Sequence, residues 1–528
     1  MPSEGERKCG QAVTNTISRY PETAPLRAPK IRNPQSAIPM LSRRTFLHRS
    51  TIAAGVTLAA ASGLRPSTFA NPTGANGDIR LGLIGLNGKG SSHLKNLLKM
   101  SGVRVAALCD VDPRVLERVA ATIPETQLAP FKTTNARELI ARPDIDAVMI
   151  VTSNHWHALL TVWACQAGKD VYVEKPMSRT VWEGRKMIEA AAKYNRIVQV
   201  GTHYRSETGL AEAIRFLHEG QLGKIRHVRA VYYGRRESIG HKQPWYPDWL
   251  DYDVFCGPTP VRPLERTKLH YDWHWNWATG NGEIGNNGVH ILDVAARIGR
   301  HTTPPRRVMS LGGRYVVEDS AETPNTQLAV YDYPEIPLFF ENRALPAKPG
   351  VTFMDQHGGL RVGVVAQCEG GSLSGLMGAT AYDPSGKVIR KFPGDGGGGH
   401  VRNFFDAVRS RRSQDLAAPV EAGHLSAALC HYGNISYRVG DAAPSSRIGD
   451  ALGAIPVAGE IHRELEQHLG VHQVDLAKHP FRLGPWLQLD AVGDSIVGVS
   501  SKNEYALERA RFLLREVQRP PYVIPEQV

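Results

Sequence analysis

The chain has 528 residues, of which 42% are apolar and 22% charged, and its formal net charge is +12. This length allows two or three domains with buried cores, and the composition is globular, which excludes a short peptide, a largely disordered chain and a protein with many membrane spans. More than half of the charge, +7, falls in residues 1–70, so nucleic acid is not an expected partner.

The N-terminal region resembles a twin-arginine export signal. Ser42-Arg43-Arg44-Thr45-Phe46-Leu47 precedes a weakly apolar stretch, residues 51–64, and a small residue, Ala70, at a suitable cleavage point. The apolar stretch has about 14 residues where a span needs about 20, so no permanent membrane anchor is expected. We expect residues 1–77 to be an extension, signal and linker, the twin-arginine machinery to be a partner, and the mature chain to be periplasmic. Residues 1–39 are either a long charged region or lie before a true start at Met40.

From residue 78 short apolar runs alternate with amphipathic stretches, as in βαβ units around a parallel sheet. Strands are predicted at residues 79–84, 103–108, 147–151, 171–173 and 197–200, and helices at 91–100, 113–121, 155–167 and 181–194. Runs that are apolar on both faces suit strands covered by helices on both sides. We therefore predict a Rossmann dinucleotide-binding domain over residues 78–201.

The first predicted strand leads into Gly85-Leu86-Asn87-Gly88-Lys89-Gly90 and then a helix. In a G-x-G-x-x-G loop the glycines allow a tight turn and let the pyrophosphate approach the helix N-terminus. Asn87 replaces the middle glycine, and Asn tolerates positive φ better than other non-glycine residues. The predicted cofactor-binding residues of this loop are Gly85, Asn87, Gly88, Lys89 and Gly90.

Asp110 follows the second predicted strand, 20 residues beyond Gly90. A carboxylate at this point would accept hydrogen bonds from the adenosine ribose and repel a 2′-phosphate, which favours NAD over NADP. Arg114 is the main argument for NADP. The alternative interpretation is a plain glycine turn with a surface Asp.

Two more motifs follow predicted strands: Thr152-Ser153-Asn154-His155-Trp156-His157 and Glu174-Lys175-Pro176. A Glu-Lys-Pro at a strand end, about 90 residues past the glycine loop, resembles the glucose-fructose oxidoreductase and inositol dehydrogenase family (Gfo/Idh/MocA). The resemblance extends from about residue 79 to residue 440. Ligands of parallel sheets bind at the carboxyl edge, where Lys175 falls, although a solvated charge at a strand end is the alternative.

The resemblance implies that Lys175 hydrogen-bonds the substrate hydroxyl and the nicotinamide ribose, that Glu174 lines the cofactor, and that Pro176 follows a cis peptide bond. The predicted cofactor-binding set therefore also includes Thr152, Asn154, His157, Glu174, Lys175 and Pro176.

The family's second domain is an α/β substrate domain with a large, mostly antiparallel sheet, expected over residues 202–393. The fold class is therefore α/β, and strands are predicted at residues 225–233, 307–316, 326–331 and 338–341. Sheets of this kind present one face to helices and the other to a partner, so a homo-oligomer is expected. Closing helices are expected over residues 394–445 and a C-terminal extension over 446–528, with helices near 460–469 and 503–517 and a Pro-rich end, 519–528, of no assigned role.

The segment 280–293 contains Asn286 and His290. Many family members have an Asp four residues before the His on this helix, and Asn286 stands at the Asp position. Asn can orient a hydroxyl but cannot take its proton, which leaves His290 as the predicted base and Lys175 as its partner. The alternative for His290 is a helix-capping or core role. The predicted catalytic residues are Lys175, Asn286 and His290.

Five of the nine tryptophans fall between residues 241 and 277. Aromatic faces stack on sugar rings, which indicates a sugar-like substrate, but the spacing of two in Trp273, Trp275 and Trp277 is equally typical of a core-facing strand. The predicted substrate-contacting residues are Lys175, Arg205, Trp273, Trp275, Asn286 and His290.

His270, Asp272 and His274 could form a metal site with His290, but no acid-histidine motif supports it and hydride transfer to a nicotinamide needs no metal. No metal is therefore expected. The glycine run 394–399 lacks the Lys-Ser/Thr of a P-loop and is interpreted as a flexible crossing.

The sequence thus predicts an exported NAD-dependent oxidoreductase that acts on a secondary alcohol of a sugar or sugar derivative and keeps its nicotinamide tightly bound. One alternative is an NAD-dependent glycosidase that transiently oxidises the sugar, eliminates the aglycone and reduces the product. Another is a sugar-binding or sensing protein that keeps the fold without turnover.

Overall fold

The computed structural model describes residues 77–453, 455–490, 492–493, 495–501 and 504–528. The predicted export signal lies outside these residues. The described residues belong to one compact unit, Asn71–Val528. In the described part of the chain, no helix combines the length and the apolar character that crossing a bilayer requires.

The first sheet has six parallel strands in the order β3-β2-β1-β4-β5-β6. They are β1 Ile79–Ile84, β2 Val103–Cys109, β3 Phe131–Thr133, β4 Ala147–Ile150, β5 Asp170–Val173 and β6 Val198–Val200. The order reverses between β1 and β4, and in such sheets the crevice at the carboxyl ends beside this reversal is where ligands bind. The predicted Rossmann fold is confirmed.

Five helices connect these strands and cover both faces of the sheet. They are α1 Lys89–Leu97, α2 Pro113–Ala120, α3 Ala136–Ala141, α4 Asn154–Gln166 and α5 Val181–Lys193. The helix α5 begins with a capping box, in which Thr180 and Glu183 satisfy each other's backbone N–H groups. The short pair β3 and α3 was not predicted.

The second sheet has twelve strands among the described residues, and its pairs are antiparallel except for the parallel β7 and β10. They are β7 Ile225–Tyr233, β8 Arg307–Gly313, β9 Thr326–Asp332, β10 Leu338–Arg343, β11 Val362–Cys368, β12 Gly371–Leu376, β13 Gly378–Tyr382, β14 Val388–Pro393, β15 Asp441–Ala443, β16 Phe481–Leu483, β17 Leu487–Leu489 and β18 Ile496–Val499. The predicted fold class is confirmed, but the sheet also takes β15 to β18 from beyond residue 393.

Helices lie on both faces of this second sheet. They are α6 Thr208–His218, α8 Val289–Ile298, α10 Val420–Arg438 and α13 Glu504–Arg515 on one face, and α11 Ser445–Leu452 and α12 Pro456–Val471 on the other. Over β8, β9 and β10 the second face is therefore covered by the chain's own helices rather than left open to a partner. The homo-oligomer stays a prediction.

Two helices of the predicted closing segment join the two sheets. The helix α9, His400–Ser410, buries Phe404 and Phe405 against the Rossmann sheet. The helix α10 places Ala427 in a Rossmann cluster and Leu429 in the core of the second sheet. Side chains of one helix thus belong to both cores, which fixes the width of the crevice between the sheets.

Candidate active site

A cavity of about 1170 Å³ opens at the carboxyl ends of β1, β2, β4 and β5. Most of the predicted site residues line it: Gly85, Asn87, Gly88, Lys89, Asp110, Thr152, Asn154, His157, Glu174, Lys175, Trp273, Asn286 and His290. Residues from the glycine loop, from the Glu-Lys-Pro motif and from the segment 280–293 therefore meet in one space.

The glycine loop turns where the sequence predicts. Gly85 has φ +87°, and a Cβ on it would lie 2.5 Å from the Val151 carbonyl oxygen. A Cβ on Gly90 would lie 2.1 Å from the Gly85 oxygen. Both contacts are with backbone atoms that cannot swing away, so only glycine fits at these two positions.

Asn87 differs from its predicted role. The left-handed residues of the loop are Gly85 and Gly88, whereas Asn87 does not have a positive φ, so its tolerance for that conformation is not used. Its side-chain oxygen instead accepts a hydrogen bond from Arg118 at 3.0 Å. Lys89 is exposed at the start of α1, where a cation faces the cavity.

Asp110 holds the loop in place. One carboxylate oxygen accepts from the Leu86 N–H at 2.8 Å and the other from the Asp112 N–H at 3.0 Å. Burial raises the pKa of Asp110. Each carboxylate oxygen has a second lone pair, with which Asp110 can accept the predicted hydrogen bond from a ribose hydroxyl.

Asp112, two residues further on, was not predicted as a site residue. It is 1% exposed and accepts hydrogen bonds from His270 at 2.9 Å and from the Trp249 indole at 3.2 Å. Burial opposes its ionisation, but the hydrogen bonds from Arg114 and His270 outweigh this and lower the pKa of Asp112 to about 2. Arg114 also lies over the Trp249 ring, 4.1 Å from its centroid. The carboxylate and the ring thus hold this guanidinium.

Lys175 reaches across the crevice. Its Nζ donates to the Asn286 carbonyl oxygen at 2.8 Å and lies 3.4 Å from the Asn286 side-chain oxygen. Burial lowers the pKa of Lys175. The Lys175–Pro176 peptide bond is cis, as the family resemblance implies. The solvated-charge interpretation of Lys175 therefore does not describe its position.

Glu174 forms a buried pair with His93 of α1, 2.8 Å apart. Burial would raise the pKa of Glu174, but His93 first, and then Lys89 and Lys175, hold it below its usual range. The adjacent His157 bridges the Thr152 and Pro176 carbonyl oxygens, at 2.9 and 2.7 Å. These contacts fix the ends of β4 and β5 next to each other.

His290 is 8% exposed, and its Nδ1 has no hydrogen-bond partner among the described residues. Its ring stands edge-on to His203 and Tyr204, with centroids 4.8 and 5.2 Å away. Burial, and then the charge of Lys175, lower the pKa of His290 well below its ordinary value. His290 lines the cavity, and a neutral imidazole there can accept a proton from a bound ligand.

The residues before α8 do not form the regular helical turn that was expected. Residues Ile284–Gly288 are π-helical, a local widening that is frequent at functional sites. Asn286 lies in this turn and donates from its amide to Glu283 at 3.2 Å. Glu283 is 2% exposed and pairs with Arg236 at 2.7 Å. A buried carboxylate thus sits three residues before the Asn that replaces the family's Asp.

Two predicted substrate contacts lie outside the cavity lining. Arg205 pairs with the buried Asp293 at 2.7 Å, so its charge is taken by a structural partner. Trp275 is 6% exposed and lies 5.5 Å from Arg236, on the core side of its segment. Trp273, stacked 3.6 Å from His274, does line the cavity. Residues Asp272–Trp275 form a 3₁₀ turn rather than a strand, and this turn divides Trp273 and Trp275 between cavity and core. In the described part of the chain no three His, Cys, Asp or Glu residues are grouped to hold a metal.

Such a site defines a dinucleotide-binding Rossmann domain joined to an α/β sheet domain. Residues 79–202 match the model of the oxidoreductase family with an NAD-binding Rossmann fold, GFO_IDH_MocA. Residues 79–202 are therefore similar to the NAD-binding domain of that family, the one that the motifs resemble.

Among curated proteins, the chain is similar to a glycosyl hydrolase family 109 protein of Shewanella pealeana, 31% identical over 162 residues, or 29% of this chain and 35% of the relative. A second such protein, from Shewanella sp. strain W3-18-1, is 28% identical over 183 residues, or 32% of this chain and 39% of the relative. The match thus spans little more than a third of these relatives.

Solved structures share the fold at low identity. A putative NADPH-dependent oxidoreductase from Desulfitobacterium hafniense has a TM-score of 0.52 and 14% identity, over 68% of this chain and 95% of the other. An aldose-aldose oxidoreductase from Caulobacter crescentus, complexed with glycerol, has a TM-score of 0.50 and 18% identity, over 67% and 97%. A levoglucosan dehydrogenase, in complex with NADH and levoglucosan, has a TM-score of 0.50 and 18% identity, over 67% of this chain and 96% of the other.

Proposed function

We propose that this protein is an NAD-dependent oxidoreductase that transfers a hydride between a secondary alcohol of a sugar or sugar derivative and the nicotinamide. The observation that carries the proposal is the meeting of Lys175, Asn286 and His290 in the cavity that the glycine loop also lines. Lys175 supplies a hydrogen-bond donor, Asn286 an orienting amide and His290 a proton acceptor. Oxidation of an alcohol requires these groups.

The residues present fit a dinucleotide. The loop at Gly85 lets backbone approach a pyrophosphate at the start of α1, with Lys89 beside it. Asp110 at the end of β2 and the engaged Arg114 favour an unphosphorylated adenosine ribose, and therefore NAD over NADP. When bound, the nicotinamide supplies the hydride acceptor or donor.

His290, Lys175 and Asn286 have different roles toward the substrate hydroxyl group. The neutral imidazole of His290, which lines the cavity, takes the hydroxyl proton during oxidation. The Lys175 ammonium hydrogen-bonds the oxygen and stabilises its developing negative charge. Asn286, whose amide is held by Glu283, keeps its oxygen toward Lys175 and so orients the ammonium group.

A second candidate function is an NAD-dependent glycosidase. The observation that favours it is the likeness to glycosyl hydrolase family 109 proteins. The same groups serve both functions, because a transient oxidation, an elimination and a reduction return the nicotinamide to its starting state. A tightly bound cofactor suits this closed cycle.

A panel of sugars and of aryl glycosides, supplied with the purified protein and NAD, tests both. Net NADH formation with a free sugar supports the dehydrogenase, and aglycone release without net NADH supports the glycosidase. A protein that binds sugar but neither retains nor binds nicotinamide, by absorbance near 340 nm and by titration, contradicts both and leaves a sugar-binding protein.

We also propose that the chain is exported to the periplasm by the twin-arginine machinery, supported by Arg43-Arg44 and the short apolar stretch that follows. Folded export would let the protein carry its nicotinamide out of the cytoplasm. Cell fractionation should find the parent in the periplasm and an Arg43→Lys/Arg44→Lys variant in the cytoplasm; equal export of the two would refute the proposal.

A further inference from the structure

The segment 516–528, called here the C-terminal segment, returns from the end of α13 to the Rossmann domain. Its Ile524 and Val528 are 1% and 6% exposed and belong to the apolar cluster built by α4 and α5. The Lys186 ammonium donates to the Glu526 carbonyl oxygen at 2.6 Å. This Pro-rich end of the sequence is therefore part of the Rossmann core.

Buried polar contacts hold the start of the segment. Glu516 pairs with Arg179, which is 5% exposed, and with Arg438 at 2.7 Å. Gln518 donates to Glu183, at the first turn of α5, at 3.0 Å. Because the buried Arg179 guanidinium finds its carboxylate partner on this segment, displacement of the segment would leave that charge uncompensated, whereas Glu183 would keep the backbone N–H groups of its capping box.

Further along the chain, the C-terminal segment contacts the short helix α7, Tyr252–Cys256. Arg519 pairs with Asp253 at 2.7 Å and donates to the Gly257 and Thr259 carbonyl oxygens at 3.1 Å. The Tyr522 hydroxyl donates to the same Asp253 at 3.2 Å. The segment thus ties a helix of the substrate domain to the Rossmann domain.

These contacts place Pro521 and Tyr522 in the wall of the cavity. The Tyr522 ring stands edge-on to Trp156 of α4, with centroids 5.3 Å apart. The Trp156 indole in turn donates to the Val254 carbonyl oxygen of α7 at 3.1 Å. Helix α4, helix α7 and the C-terminal segment therefore form one continuous wall.

The same wall continues along α4 toward α3. Trp156, Leu160 and Trp163 of α4 all line the cavity, and their spacing of four and three residues puts them on one helix face. Trp163 lies at the far end of that face, with Arg137 of α3 4.0 Å above its ring, near the end of β3. Residues 134–138, which follow β3, line the cavity, and β3 neighbours β2, at whose end the adenosine ribose lies in such sheets.

We propose that the C-terminal segment is a built part of the dinucleotide site and that Tyr522 is one of its cofactor-contacting residues. The inference rests on the proposed function, because it needs a nucleotide in the cavity. The segment positions an aromatic ring, already held by Asp253 and Trp156, against the bound nucleotide. A ring fixed in advance loses little conformational entropy on binding, which favours a cofactor that dissociates slowly.

The test is a fluorescence titration of the full-length protein with NADH, after removal of any retained nucleotide. We expect Tyr522→Ala to raise the Kd about tenfold or more, as loss of an aromatic contact to a base does. Tyr522→Phe should stay within about twofold of the parent, because it keeps the ring. Val523→Ala is the matched control, since Val523 is the next residue, is 42% exposed and does not line the cavity.

An unchanged NADH Kd in Tyr522→Ala would overturn the inference, as would a change confined to the KM of the sugar. If Tyr522→Ala unfolds at the assay temperature, Tyr522→Leu decides in the same way, because it retains apolar bulk without the ring. Failure of the parent to bind NADH would instead refute the proposed function, so the two failures are distinguishable.

Discussion

Replacement of Lys175 by Met is expected to lower kcat about 100- to 10,000-fold, the range typical of a positioned proton-transfer or charge-stabilising group. Met keeps an unbranched side chain, one atom shorter than that of Lys, but removes the ammonium that contacts Asn286 at 2.8 Å. Bound nicotinamide should stay, because the glycine loop and Asp110 are untouched. The measurement is the steady-state rate with the best sugar substrate, together with the absorbance of retained cofactor.

The pH profile gives a second readout of the same variant. Burial first, and then Lys89 and Arg236, lower the pKa of Lys175, while Glu174 and Glu283 oppose them. Because the protonated form does the work, the parent should lose activity as pH rises through that lowered pKa, below the ordinary 10.5. Lys175→Met should lack this alkaline limb. Lys387→Met, at an exposed position next to β14, is the control; full turnover by Lys175→Met would show that the site is wrongly assigned.

The second large effect is expected from Gly85→Ala, which should weaken nicotinamide binding at least tenfold. Its Cβ would meet the Val151 carbonyl oxygen at 2.5 Å and the Thr152 nitrogen at 2.9 Å. These atoms belong to the chain just after β4, so the loop and the strand end would have to move apart. The positive φ of Gly85 adds about 1 kcal/mol of backbone strain for any other residue. An NADH titration measures the loss.

Gly386→Ala separates the steric contact of a new Cβ from the backbone strain of a positive φ. Gly386 has φ +84°, close to the value at Gly85, but no atom lies within 4 Å of where its Cβ would be. It sits in the turn between β13 and β14, far along the chain from the loop. We expect it to reduce thermal stability slightly and to leave NADH binding unchanged. Equal binding by Gly85→Ala and the parent would mean that the loop does not approach the cofactor.

Sequence periodicity predicts those elements whose apolar pattern is complete within their own residues. β1 and α5 are apolar in patterns that depend only on their own residues, and their predicted bounds agree with the structure to within one residue. The strand β3 has three residues, two of them exposed, so it carries no apolar run. The strand β12 contains Gly and Ser and the strand β13 contains Gly and Ala, small residues that pack between neighbouring strands but give no strand signal alone.

The same division applies to the site. Lys175, Asn286 and His290 are found from short motifs because each motif is contiguous. Glu283 pairs with Arg236 47 residues away, and Asp112 meets His270 158 residues away, so neither partner is visible in a local pattern. A signal existed for Glu283, since an acid in a glycine-rich and otherwise uncharged stretch is unusual. For Asp112 and the C-terminal segment there was none.

The return of residues 516–528 also bears on how the molecule folds. Contacts such as Arg179 with Glu516 join positions 337 residues apart, and α10 contributes to both cores. Closure of so long a loop is entropically costly and must come late, after both sheets have formed. We therefore expect the Rossmann domain to need α10 and residues 516–528 for its full stability. We expect cooperative unfolding to involve both sheets together, although the predicted domain boundary near residue 201 lies between them in the sequence.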